Sequence, residues 1–233
     1  MKHKIKFYFL LFVSIMCIYG KCKKVDIDQC TDSCYNIVGT IKDSISGVGI
    51  AGVQVEIATV KSGAFPIYTG IYGIVSTDNS GFYSSFYSSN QVNFIDNHLS
   101  VTISAPIGYI SDYTRDLNKI GFSIFKSDSI KVNIPFRVNA YFYKKAYLNI
   151  RVIKATTTNS LYSFGYQFGR QGYGSIGTFP SSGNTDTTYK LETAAEIKTY
   201  LKWQTKNGAS AAISFSDSAI IQPGQTKNIV IQL

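Results

Sequence analysis

The sequence predicts an all-β protein built as two consecutive β-sandwich domains behind an N-terminal export signal. Three observations carry this. Apolar residues recur with period two at Ala51, Val53, Val55 and Ile57, at Leu99, Val101 and Ile103, and at Ala146, Leu148, Ile150 and Val152, the pattern of strands with one buried face. Seventeen Tyr and fifteen Phe in 233 residues, with few stretches rich in Ala, Glu and Leu, favour sheet over helix. Clusters of Ser, Asn, Asp and Gly separate the alternating segments.

At the start of the chain, Lys2, Lys4 and Lys6 precede an apolar run over residues 7–18 that is broken mainly by Ser14. A basic start and a run well short of the ~20 residues that span a membrane read as a secretory signal over residues 1–21. The next residues, Cys22-Lys23-Lys24-Val25-Asp26-Ile27-Asp28, resemble the beginning of a mature bacterial lipoprotein. The resemblance implies acylation of Cys22, a tether over residues 22–34, and a lipid-anchored place at the outer membrane, exposed at the cell surface in one arrangement. Lys21 stands where such signals have Gly, Ala or Ser, so cleavage after Gly20 and a periplasmic or secreted product is the alternative. One acyl chain holds a membrane only marginally, whereas several hold it stably.

With Cys17 removed and Cys22 acylated, Cys30 and Cys34 remain as an even pair and are the candidate disulfide of an oxidising compartment. Only Thr31-Asp32-Ser33 separates them, a spacing that makes a strained or labile bond one outcome. As a metal site the pair falls short of four ligands, with no His nearby.

The first domain is expected over residues 35–138. Gly39-Thr40-Ile41-Lys42-Asp43 reads as a short strand, and the Ser/Gly cluster over 44–49 as a tight reversal that pairs it with the strand over 51–58. After a loop, Val75-Ser76-Thr77 leads into Asp78-Asn79-Ser80-Gly81, where Asp and Asn bond their own backbone and Gly takes the left-handed conformation. Phe82-Tyr83 opens the next strand.

The ordered residues Gly39, Asp43, Ile50, Ala51, Gly52, Val53, Val55, Thr77, Asp78, Gly81 and Tyr83 resemble the carboxypeptidase regulatory-like domain, a transthyretin-like β-sandwich found in bacterial surface proteins. The likeness covers about one fifth of the chain. It departs from the family over residues 59–74, which are longer and more aromatic. It implies a scaffold and brings no catalytic residue. Further along, Leu99, Val101 and Ile103 face inward, and Ala105-Pro106-Ile107-Gly108-Tyr109 ends that strand in a form the same family uses. Residues 112–119 read as a surface loop. A last strand over 130–138 closes the sandwich, with Pro135 placing it at an edge because proline donates nothing to a ladder.

The boundary falls near residues 139–145, and a second domain is expected over 140–233. Its first strand carries Ala146, Leu148, Ile150 and Val152, ends at Lys154, and is followed by a turn at Thr156-Thr157-Thr158-Asn159. Ile197, Thr199, Leu201 and Trp203 alternate with Lys198, Tyr200, Lys202 and Gln204. Lys206-Asn207-Gly208 then makes a hairpin to Ile213 and Phe215. Glu192 and Glu196 suit a helix over 191–202, but Thr199, Tyr200 and Trp203 prefer sheet and the turn follows at once. Ile229, Ile231 and Leu233 mark the docked final strand of an immunoglobulin-like sandwich.

Functional classes are then weighed on inventory. The formal charge of +9 falls to +5 once the four lysines before Cys22 are set aside, and the rest are scattered, so no nucleic-acid partner is expected. After the leader the one histidine is His98, read as a loop residue before a strand, which excludes paired-His metal sites and leaves any Ser-His-Asp triad dependent on it. No metal and no cofactor are expected. Gly172-Tyr173-Gly174-Ser175-Ile176-Gly177 matches a dinucleotide fingerprint only in letters, because Thr178-Phe179-Pro180 stops any helix. Asp112 with Asp116, and Glu192 with Glu196, lack a basic or metal-binding setting, and Asp78 serves its turn.

One stretch is a candidate binding site. Tyr162, Phe164, Tyr166 and Phe168 alternate with Ser163, Gly165, Gln167 and Gly169 ahead of Arg170 and Tyr173. Period two is first a burial signal, so an inward-facing aromatic strand is the competing reading. If rings stand free beside these small residues, Tyr162, Tyr166 and Tyr173 form a platform for a sugar or a protein. The expectation is a non-enzymatic cell-envelope lipoprotein acting as a binding or structural module. Its partners are the membrane, through the lipid, and an envelope protein or glycan. The alternative is a carbohydrate-binding component of a glycan-uptake system using exposed aromatics.

Overall fold

Fifteen β-strands make up the regular structure of the computed structural model, which describes residues 33–61, 67–89, 92, 94–95, 97–112, 117–125, 128, 130–154, 159–169, 174–176 and 186–233. Among the described residues there is no α-helix. The all-β expectation holds.

The first nine strands are β1 (Cys34–Asp43), β2 (Gln54–Lys61), β3 (Ile67–Ser76), β4 (Phe82–Ser88), β5 (Asn97–Ser104), β6 (Tyr109–Ile110), β7 (Lys119–Ile124), β8 (Pro135–Arg137) and β9 (Ala140–Ile153). One sheet runs β3-β2-β5-β7, and facing it β1 pairs with β4 on one side and with β8 and the start of β9 on the other. Ile37, Ile41, Val53, Val55, Ile57, Tyr83, Leu99, Val101, Ile103 and Phe142 fill the space between the sheets. This is a sandwich.

The reversal at 44–49 does not make the expected hairpin. β1 and β2 lie in different sheets, and the chain folds back on β1 only as far as a bridge between Lys42 and Gly49, ahead of β2. The physical reason is that both strands present apolar residues to one core, so they bury them by facing each other across it. Asp43 drives the turn between sheets: its Oδ1 accepts from the Ile45 and Ser46 amides, at 2.9 Å each.

The Asp78 turn forms as read. Its Oδ1 accepts from Ser80 N at 2.8 Å, Ser80 Oγ at 2.7 Å and Phe82 N at 2.9 Å. Gly81 has φ 76°, and a Cβ there would lie 2.3 Å from the Ile41 carbonyl oxygen, so conformation and space both require glycine. Gly39 is required by space alone, since a Cβ would fall 1.8 Å from the Val138 oxygen. That oxygen accepts instead from the buried Tyr83 hydroxyl at 2.8 Å.

Two later readings are corrected. The expected strand over 130–138 shrinks to the three residues of β8, parallel to β1, with Pro135 at its first position where no amide is needed. β7 takes Lys119, the last residue of the expected 112–119 loop, into a strand that buries Ile120 and Ile124; residues 113–116 of that loop lie outside the described residues.

β9 runs unbroken through residues 140–153, and its pairing partner changes along its length. Residues 140–142 pair with β1, 143–144 with β6, and 145–153 with β12 (Asp186–Ala194), while 147–153 also pair with β15 (Thr226–Gln232). The remaining strands, β10 (Asn159–Gln167), β11 (Gly174–Ile176), β13 (Lys198–Asn207) and β14 (Ile213–Ile220), form a second sheet in the order β11-β10-β13-β14. Ala146, Leu148, Ile150, Val152, Leu161, Phe164, Leu201 and Ile231 pack between it and β12-β9-β15. At the joint of the two sandwiches Ile110, Phe168 and Ala194 form a third cluster with Leu117, Tyr143 and Ile197 against them.

The helical alternative over 191–202 is excluded. β12 and β13 are separated by a tight turn in which Glu196 has φ 62° and donates its amide to the Ile221 oxygen at 2.8 Å. Across that turn the buried hydroxyls of Thr193 and Thr199 lie 2.7 Å apart. β12 itself was not foreseen, because Asp186, Thr188 and Lys190 alternate with only half-buried partners.

Candidate functional site

β10 carries most of the aromatic stretch, and its pairing with β13 contains one irregularity. The register shifts between Leu161 and Ser163, so that Leu161 lies opposite Thr205 while Ser163 lies opposite Gln204. A bulge residue belongs to neither row. Leu161 and Phe164 therefore both face the core, at 3% and 1% exposure, and Tyr162 between them is 60% exposed. Strict alternation had put Tyr162 on the same face as Phe164; the bulge moves it to the other.

Tyr166 goes the opposite way. Its ring packs against the second core and stacks on Phe168 with centroids 6.5 Å apart. Burial raises its hydroxyl pKa, and the Glu192 carboxylate adds to the shift. Tyr162 and Tyr166 are thus not brought together. Tyr173, Cys22 and Cys30 lie outside the described residues. Cys34 is buried and disulfide-bonded, with its amide donated to Asn133 Oδ1 at 3.1 Å. Trp203 is half-buried and stacks on Phe215 at 5.7 Å on the edge of the second core.

A different ring joins Tyr162 in solvent. Tyr200 of β13 is 48% exposed, between the fully buried Thr199 and Leu201. The alternation of Lys198, Tyr200, Lys202 and Gln204 with inward-facing neighbours is legible in the sequence, and its outward half carries this ring. Lys198 Nζ sits 5.5 Å from the Tyr200 ring centroid and Lys206 Nζ 5.9 Å from that of Tyr162, contacts worth ~0.5–1 kcal/mol at exposed sites. Between them a polar row crosses three strands: Ser163 Oγ donates to Gln204 Oε1 at 3.2 Å, and Gln204 Nε2 donates to Ser214 Oγ at 3.1 Å.

Four acidic groups are engaged elsewhere. Asp43 is almost fully buried, which pushes its pKa up, yet the Ser46 and Ile45 amides, the Ser46 hydroxyl and the Lys144 charge together hold the carboxyl below its ordinary value. Asp78 is lowered by the Ser80 hydroxyl and the Phe82 and Ser80 amides of its own turn. Glu192 pairs with Lys145 at 3.0 Å, and Asp186 pairs with Arg151. His98 lies inside β5 rather than in a loop, its ring 4.8 Å from that of Phe125. Among the described residues no three His, Cys, Asp or Glu side chains gather as metal ligands.

No family model and no curated protein matches the chain. Solved structures resemble it distantly. The Bacillus anthracis TIE protein matches at 12% identity and a TM-score of 0.32 over 86% of this chain, which spans 34% of that protein. The shaft pilin SpaA of Lactobacillus rhamnosus GG matches at 9% identity and a TM-score of 0.30, over 87% of this chain and 98% of the pilin. A DUF3823 family protein from Bacteroides uniformis matches at 6% identity and a TM-score of 0.27, over 80% of this chain and 99% of its own. Likenesses at this level carry no argument about function, which rests on the residues themselves.

Proposed function

We propose that the chain is a non-catalytic module of the cell envelope, held to the outer membrane by a lipid on Cys22, with sandwiches over 35–138 and 140–233 that act by binding or assembly. The observation that carries this reading is the division of labour among its polar groups. Asp43 and Asp78 hold turns and Glu192 and Asp186 form ion pairs, while the outer face of β10, β13 and β14 presents side chains to solvent. A fatty-acid probe supplied to cells is expected to label the protein, and Cys22→Ser to abolish the label. An unlabelled protein with Lys21 at its mature N-terminus removes the anchor and leaves a periplasmic or secreted module.

The exposed Tyr162 favours a second reading, carbohydrate binding by surface aromatics in a glycan-uptake system. On a glycan array, Tyr162→Ala is then expected to lose signal at an unchanged melting temperature. Signal independent of Tyr162 sinks this reading.

A further inference from the structure

β13 turns five side chains to one face in register: Lys198, Tyr200, Lys202, Gln204 and Lys206, each alternating with a residue directed at the core. Outward residues on a strand are ~7 Å apart, so the three lysines repeat every ~14 Å along a straight line. Their cross-strand neighbours are Ser160, Ser163, Gly165 and Gln167 on β10 and Ser214, Ser216, Ser218 and Ile220 on β14. No carboxylate occupies an outward position of these three strands. Asp217 is in register with Leu201 and Tyr166, on the other face.

We infer that this face binds an acidic polysaccharide, with carboxylates of uronate residues on the lysine row and sugar rings against Tyr162 and Tyr200. The inference rests on the carbohydrate-binding reading and specifies its surface and ligand class. Charge selects the class, because three lysines on a face whose other outward positions carry no carboxylate attract a polyanion and reject a polycation. The polar floor selects a sugar. Ser163, Gln204 and Ser214 already hydrogen-bond one another in a row, and such hydroxyl and amide groups match sugar hydroxyls. Ile220 is the one aliphatic side chain facing outward on β13 and β14, too little apolar area for the core of a protein interface or for insertion into lipid. Tyr162 and Tyr200 each have an ammonium over the ring, so flat surface and positive charge meet at the same points, as a uronate unit requires.

The test uses the purified chain and three probes by calorimetry: polygalacturonate, its fully methyl-esterified form, and phosphatidylglycerol vesicles. Polygalacturonate is expected to bind at least ~10-fold more tightly than the neutral ester, and to weaken between about 50 and 300 mM salt as screening shortens the reach of the lysines. The triple variant Lys198→Gln, Lys202→Gln, Lys206→Gln is expected to lose about tenfold or more at an unchanged melting temperature, and Tyr200→Ala to weaken binding to both glycans. Equal binding of acid and ester overturns the acidic class while leaving the carbohydrate reading in place. Binding of neither glycan overturns the inference, as does a response to vesicles alone. Polygalacturonate binding that the triple variant retains overturns the surface.

Discussion

Thr77 offers the sharpest test of how the first sandwich is held. Its hydroxyl donates to the Ile50 oxygen at 2.6 Å and accepts from the Val53 amide at 2.9 Å, spanning the bend that carries the chain into β2. All three residues are buried, at 6%, 9% and 1% exposure. Thr77→Val keeps the shape of the side chain and removes both bonds, leaving one donor and one acceptor away from water. Each orphaned group costs ~1–3 kcal/mol, and the added buried methyl returns up to ~0.8 kcal/mol, so the net loss is about 1–5 kcal/mol. Thr77→Ser retains the oxygen and loses one methyl, costing ~1 kcal/mol. Urea denaturation measures both, with the midpoint shifting at constant m-value, and hydrogen exchange at the Val53 amide reports the local opening. A valine variant within ~0.5 kcal/mol of the parent, or one more stable than the serine variant, refutes the reasoning.

The two tyrosines of β10 should respond in opposite ways: Tyr166→Ala is expected to lower stability by ~3 kcal/mol, the scale of deleting a core aromatic, whereas Tyr162→Ala stays within ~0.5 kcal/mol. Thermal or urea melts of the pair settle it, and equal losses would contradict the bulge. Asp43 predicts a pH dependence. Its folded pKa lies below the unfolded value, so its stabilisation is fully present above the unfolded pKa of ~4 and is lost as pH falls through the lower folded pKa. The stability gap between the parent and Asp43→Asn is therefore expected at neutral pH and to close in acid. A gap that persists below both pKa values would show that charge is not what Asp43 contributes.

Much of this molecule follows from local chemistry. Period-two runs at 53–57, 99–103 and 146–152 became strands because burial of one face is a property of each run alone. The Asp78–Gly81 turn formed because its bonds join residues at most four apart. Partnership between strands was not local. The 44–49 reversal had the residues of a hairpin, yet whether two apolar strands lie side by side or face to face depends on where the rest of the core sits. β7 and β12 gained their burial from neighbours distant in sequence, so their own patterns were weak. The aromatic stretch shows the limit most directly. Its composition and spacing marked it as a place of interest, but a single bulge after Leu161 reversed the direction of Tyr162 relative to Phe164, and register with β13 placed Tyr200, not Tyr166, on the same solvent-facing side of the sheet. Side-chain direction in a strand alternates from a reference that the sequence does not contain; the hydrogen-bonded neighbour supplies it.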